Sequence, residues 1–292
     1  MPFFLRGWPL LLALAPGCSR SHHAGPPGDD APTPAAPSSA REATAGQPPA
    51  RGATGAPYRP EEPRPCAYGR QDEGCEPTTV CAHVEREQPP QCVPFATEEE
   101  PLAPPFASGR SFWVGQHGRS AAGRSHSWRN DLYAVDFVPL RSSREELVVA
   151  PVDGQLRIHD GCEERDRGPD STNDSPCGLG YGNHVRIWDG RNLILLAHLA
   201  QVTAQDGPVK RGQALGWAGS SGRAGYRHVH MTVTRPAPGQ SPETILREPG
   251  WMGSIPTRVR YELRNEEASK LLWSDQIPAA ELEAQAQRWL AP

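Results

Sequence analysis

Two histidines stand one residue apart in "AGYRHVHMTV", residues 224–233. Successive side chains of a β-strand point to opposite faces, so His228 and His230 share one face while Val229, Met231 and Val233 share the other. The apolar set turns inward and the imidazoles face something else. Two neutral imidazoles at that spacing can surround a metal, one as ligand and one reaching a bound water, or they can simply face solvent. Which of these holds depends on what other residues reach the same face. Asp136 sits in "YAVDFV" between Val135 and Phe137, where a carboxylate needs a compensating partner. His198 sits within the apolar run "LILLAHLAQV", as a core histidine bonded to backbone or as a member of a site. His126, in "GRSHSWRND", precedes the Asp136 strand and by itself reads as a loop histidine.

The elements that must hold these residues are short strands. From 106 to 256 the chain alternates brief apolar runs with Gly, Asp and Asn, and "LYAVDFV", "ELVVAPVDGQLRIHDG", "NHVRIWDGRNLILLAHL", "QALGWAG" and "HVHMTV" all have strand texture. Asp153-Gly154 and Asp189-Gly190 are hairpin signals. The expected fold is mainly β, a small antiparallel sheet domain. The last segment, 257–292, carries one short C-terminal helix that Pro278 can open, with Leu282, Ala286, Trp289 and Leu290 on one face.

The chain ahead of this domain differs in composition. The whole has 292 residues with 33 Pro and 29 Gly, and only 37% are hydrophobic. From 19 to 65 bulky apolar residues are almost absent, which predicts a disordered linker, with His22 and His23 as surface residues. Residues 1–18 carry one basic side chain, Arg6, then an apolar run from Trp8 to Ala15 and the pair Gly17-Cys18. The run is shorter than the roughly 20 residues that span a bilayer and ends in small residues, as an export signal does. The net charge of -4 and a pI of 6.2 give no electrostatic reason to expect nucleic acid.

The cysteines fit an oxidising compartment. Of 7, setting Cys18 aside leaves the even set Cys66, Cys75, Cys81, Cys92, Cys162 and Cys177, with no C-x-x-C spacing. The first four lie in a small Cys-rich segment, 66–94, a stapled mini-domain or a loop clamped to the main body, and permit three pairings. Cys162 and Cys177 flank the polar insertion "EERDRGPDSTNDSP" and are expected to pair with each other. Closing a loop of about 15 residues is worth roughly 3 kcal/mol in the chain-entropy picture.

Read in order, His126 and Asp136, "GYGNHVRI", "LAHL" with His198, "VKRGQALGWAGSSG" and "HVH" resemble the pattern of the lysostaphin/LytM-type zinc metallopeptidases, which cut peptide bonds in bacterial peptidoglycan. The likeness covers roughly 115–234. It implies that His126, Asp136 and His230 hold one Zn2+ and that His198 and His228 orient and deprotonate the attacking water and steady the oxyanion. Three N/O ligands leave a tetrahedral position for water, whose pKa falls to about 7 on zinc. Asp131 lies between His126 and Asp136, but in the polar run "WRND" water is expected to satisfy it, so Asp136 is the expected ligand. "GWAGSSG" lacks the G-K-S/T ending of a phosphate loop and is expected to be a turn before the last site strand. His117 and Arg119 are read as polar residues of a glycine-rich loop, His159 and His184 as surface or core histidines, and Tyr133 as a core tyrosine.

The end of the apolar run similarly resembles a bacterial lipoprotein signal, with Ala15 where a leucine is usual. It implies lipidation of Cys18 and a membrane tether in the cell envelope, with Ser19 favouring the outer membrane. Three functions stay open: an exported endopeptidase on peptidoglycan cross-links, a non-catalytic relative that regulates cell-wall amidases, and a zinc peptidase acting on proteins.

Overall fold

The computed structural model describes residues 64–66, 75–76, 78–85, 88–118, 126, 131–140, 146–164, 175–247, 253–280 and 283–292. The expected export signal, Cys18 and almost all of the expected linker lie outside them. Within them the protein is mainly β. The strands are β1 (Arg64–Pro65), β2 (Thr79–Ala82), β3 (Gln91–Pro94), β4 (Ala96–Leu102), β5 (Ser111–His117), β6 (Val135–Pro139), β7 (Leu147–Val149), β8 (Gly154–His159), β9 (Asn183–Trp188), β10 (Leu193–Val202), β11 (Gly207–Val209), β12 (Ala214–Ala218), β13 (Val229–Pro236), β14 (Ser254–Arg264), β15 (Ser269–Trp273) and β16 (Trp289–Leu290). One short helix, α1 (Pro242–Arg247), joins β13 to β14.

Strands β1, β3 and β2 make a three-stranded sheet, and the other thirteen make one sheet with the path β11-β8-β9-β10-β13-β6-β5-β16-β14-β15. Off that path β12 pairs with β10 and β7, and β4 pairs with β14 in the one parallel ladder among the described strands. The centre of this sheet positions the site. β10 lies between β9 and β13 and is apolar on both faces, because Ile194 and Leu196 join the main core while Leu193 and Leu195 pack on the other side. That double burial explains why "LILLA" is a continuous apolar run rather than an alternating one. β13 alternates instead: Val229, Met231 and Val233 enter the core beside Val135 and Phe137 of β6. Each such side chain contributes about 1.5–3 kcal/mol on burial.

Asp189-Gly190 forms the expected hairpin between β9 and β10, with Leu193 opposite Trp188 and Gly190 at φ 99°. Asp153-Gly154 does not, because β7 pairs with β12 while β8 pairs with β9 and β11. Gly154 answers to packing: a Cβ there would stand 2.4 Å from the Trp188 carbonyl oxygen. Asp153 instead accepts from the Lys210 ammonium and the Arg211 amide, both at 2.8 Å.

The C-terminal segment also departs from expectation. A single 3-10 turn, Glu283–Gln285, is followed by β16, whose Trp289 faces Phe112 of β5 and is 1% exposed. The spacing that reads as one helical face is overridden by an indole buried against the sheet, and the short helix of this fold is α1. The cysteines pair as Cys66–Cys81, Cys75–Cys92 and Cys162–Cys177. The first two staple the small sheet, whose Val80 packs with Leu132 and Tyr133 just ahead of β6.

Candidate metal centre

His230 faces Asp136 directly across the β13–β6 ladder, and Ala197 of β10 faces His230 on the other side. His198 is therefore one residue from the same level. Its backbone has φ 62°, and the pairing of β10 with β9 slips between Leu196 and Leu199. A non-glycine residue there carries local strain of about 1–2 kcal/mol, and the bulge turns the ring toward β13. His228 lies just before β13, bridged to Gly219. The loop ahead of β6 brings in His126, so five residues spread over more than a hundred positions meet at one end of three adjacent strands.

Asp136 Oδ1 is 3.0 Å from both His126 Nε2 and His230 Nδ1. The three side chains each offer a ligand atom within 4.8 Å of the others, and all three are buried. Ligand atoms on a tetrahedron of the usual zinc radius are about 3.3 Å apart, so little movement separates this cluster from a coordinating one. His126 Nδ1, His230 Nε2 and Asp131 Oδ1 are buried without a hydrogen-bond partner. The two nitrogens are those turned away from the shared Asp136 oxygen, so it is the donor set itself, two imidazoles with a carboxylate, that suits a divalent metal such as zinc. The other two groups with metal-ligand spacing, Cys66/Cys75/Cys92 and His159/Cys162/Cys177, have their sulfurs committed to disulfides.

The charges agree with a cation site. Burial presses His230 toward neutrality, yet Asp131 and Asp136 outweigh it and raise its pKa to about 10. Burial pushes Asp136 up, but the surrounding imidazoles hold it well below the ordinary carboxylate range. Burial lowers both His198 and His228. His198 Nδ1 lies 2.9 Å from the Ser221 carbonyl and His228 Nδ1 lies 2.8 Å from the Tyr226 carbonyl. Since a carbonyl only accepts, each Nδ1 carries the proton and each Nε2 keeps its lone pair. The two rings are 4.7 Å apart.

Motif residues around the cluster have physical tasks. Asn183 of "GYGN" donates to the Cys162, Leu199 and Ala200 carbonyls and accepts the Cys162 amide, tying the disulfide loop to the β10 bulge. Ser221 of "GSSG" donates to the Leu199 carbonyl at 2.6 Å, accepts the Asn183 amide at 2.9 Å and orients His198 through its own carbonyl. Gly222 has φ 74°, and a Cβ on it would meet Gly182 N at 2.2 Å. The segment is thus the expected turn before the last site strand, interlocked with the Tyr181–Gly182 backbone.

Asp131 corrects an expectation. It is buried rather than satisfied by water: Tyr181 donates to its Oδ2 at 2.7 Å, and its Oδ1 lies 3.6 Å from His230 Nε2. His126, Asp131, Asp136, His198, His228 and His230 all line one cleft of about 400 Å³, with Tyr181 and Tyr226. Neither tyrosine stood out in the sequence. Tyr181 is signalled only by its place in "GYGN", and Tyr226 by nothing but proximity to His228. His117 bonds its neighbour's carbonyl at 2.6 Å on β5, Tyr133 is core, and Arg119, His22 and His23 lie outside the described residues. His159 and His184 stack on each other with centroids 4.8 Å apart, and neither lines the cleft.

Fold and site together define a mainly β protein with a buried two-histidine, one-carboxylate cluster and two neutral histidines opening on one cleft. No family model and no curated protein matches the chain. Among solved structures it is similar to the antimicrobial peptidase lysostaphin from Staphylococcus simulans, at 19% identity over 50% of this chain and 56% of that one, with a TM-score of 0.30. The chain thus spans little more than half of that lysostaphin chain. A zinc containing peptidase from Vibrio cholerae matches at 18% identity over 46% of this chain and 37% of that one, with a TM-score of 0.28. The catalytic domain of a mutant prophage-encoded M23 protein EnpA from Enterococcus faecalis matches at 22% over 48% and 91%, also at 0.28.

Proposed function

We propose that the protein is a zinc-dependent endopeptidase that hydrolyses peptide cross-links of bacterial peptidoglycan. The observation that carries this reading is the convergence of His126, Asp136 and His230 on one point, with His198 and His228 beside it. The ordered motif resemblance supports the substrate class. His126, Asp136 and His230 would hold one zinc ion, which supplies a Lewis acid and a water activated near neutral pH.

The chain's own contribution is proton traffic and charge. With Nδ1 tied to a carbonyl, His198 and His228 each present Nε2 as a base that takes a proton from the attacking water and returns it to the departing amine. Once protonated, the same Nε2–H donates to the negatively charged tetrahedral oxygen. Burial keeps both rings neutral beforehand, so the base form is present at working pH. Asp131, 3.6 Å from His230 Nε2, adds a second negative charge beside the imidazole that Asp136 meets at 3.0 Å from its other nitrogen.

Disulfides support export, and the terminal sequence supports a tether through a lipidated Cys18 facing the periplasm, which would let an anchored enzyme search the wall around it. Mass spectrometry of muropeptides from purified peptidoglycan tests the reading. The expected result is new peptide fragments, abolished by a chelator, restored by zinc, and reduced about a hundredfold or more in His198→Ala with zinc content retained. No fragments from peptidoglycan despite bound zinc would refute it, in favour of an amidase regulator, or of a protein-directed peptidase if casein is cut instead.

A further inference from the structure

Gly115 and Tyr226 touch the candidate centre in a way that neither the strand pattern nor the motif resemblance requires. In the β5–β6 ladder Val114 faces Phe137 and Gln116 faces Asp136, so Gly115 is an extra residue bulged out opposite the Asp136 level. A Cβ on Gly115 would stand 2.5 Å from Tyr226 Oη, 3.2 Å from its Cζ and 3.0 Å from Val138 Cγ2. The phenol hydroxyl occupies the space that the glycine leaves. From there it bonds the Asp136 carboxylate, and because a carboxylate only accepts, the phenol is the donor. The tyrosine ring is 4.6 Å from the His228 ring, and the Tyr226 backbone carbonyl accepts from His228 Nδ1. One residue thus reaches both a candidate ligand and a candidate base, and it lines the cleft with 37% of its surface as a whole residue exposed.

We infer that Tyr226 is a positioning residue of the metal centre, its hydroxyl fixing the Asp136 carboxylate and its carbonyl fixing the His228 tautomer, and that residue 115 is glycine to admit that hydroxyl. This rests on the metal-binding part of the function proposed above. Asp136 already shares Oδ1 between His126 and His230. A carboxylate held by a further donor cannot swing away from the cluster, so the ligand geometry is set before a metal arrives. Partners behind a metal ligand are typically worth about 10–100-fold in affinity.

The test is zinc affinity, measured by competition with a chromophoric chelator, together with the visible spectrum of the cobalt(II) form. Tyr226→Phe keeps the ring against His228 and the backbone carbonyl, and removes only the hydroxyl. It is expected to raise the zinc dissociation constant about tenfold or more and to alter the cobalt spectrum, with an unchanged circular dichroism spectrum. Gly115→Ala, which evicts the hydroxyl, is expected to shift affinity the same way, and to add little in the Tyr226→Phe background. If Gly115→Ala does not fold, Tyr226→Phe alone decides. A wild-type protein that binds zinc beside a Tyr226→Phe variant with the same affinity and cobalt spectrum overturns the role of Tyr226 and leaves the metal centre standing. A wild-type protein that binds no zinc overturns both.

Discussion

Asp136 meets two imidazoles through a single oxygen, at 3.0 Å each, and lies directly across a strand pair from one of them. Asp131 meets His230 from the other nitrogen at 3.6 Å and is itself held by Tyr181. The two carboxylates therefore differ in reach, not in burial. Asp136→Ala is expected to abolish zinc binding, because it removes a proposed ligand and leaves two rings without the acceptor they share. Asp131→Ala keeps the three-residue cluster and is expected to weaken zinc by about 10–100-fold without eliminating it. Isothermal titration with zinc separates the two, and equal loss in both variants would mean that Asp131 also coordinates. His198, His228 and His230 stood out in the sequence because polar residues interrupting apolar strands need a reason to be there, whereas His126, in a loop, did so only through the motif resemblance. Asp131 was not: "WRND" reads as a solvated run, and its burial depends on a tyrosine fifty positions further along.

Strands and turns deliver these groups through backbone features more than through propensity. The β10 bulge aims His198, and Ser221 locks that bulge to Asn183 and to the turn ahead of β13. Ser221→Ala strands the buried Asn183 amide and leaves the Leu199 carbonyl with the longer bond from the Asn183 side chain. It is expected to cost about 1–3 kcal/mol, read as a lower urea midpoint, while the backbone bond from His198 Nδ1 to residue 221 survives. An unchanged midpoint would show that Ser221 is not a structural link. Hairpin chemistry at Asp189-Gly190 was readable because the turn is local. Asp153-Gly154 has the same dipeptide but serves a close approach to Trp188, and pairing of β7 with β12 is set by contacts remote in sequence. The apparent helix at the C-terminus failed for the same reason, since the burial of Trp289 against β5 outweighs a favourable spacing.

Across the whole molecule, stability should fall in acid for a reason separate from the metal. Burial is the main cause that lowers the His184 pKa to about 3, by more than the bond to the Gly182 carbonyl restores, and Arg186 and His159 add smaller lowering contributions. The unfolded chain takes up this proton near pH 6.5, whereas the folded protein refuses it until about pH 3. Between those values the unfolded state binds more protons, so stability rises with pH and is lost as pH falls from about 6.5 toward 3, by on the order of 4 kcal/mol at the acid end. Urea unfolding at pH 7 and pH 4 should show a smaller acid loss in His184→Gln than in the wild type, and equal losses would remove His184 as the cause. The cysteine pairing belongs to this scale too. Composition indicated an oxidising compartment, but only the folded chain selects Cys66–Cys81 and Cys75–Cys92 from three possibilities.

Three places in the described chain have metal-ligand spacing, and two of them contain sulfur. X-ray absorption of the zinc-loaded full chain distinguishes them in one measurement. Coordination by His126, Asp136 and His230 predicts a first shell of nitrogen and oxygen only, at about 2.0–2.1 Å, with imidazole scattering from two rings. A zinc–sulfur distance of about 2.3 Å would place the metal on cysteines instead and contradict the assignment of the catalytic centre.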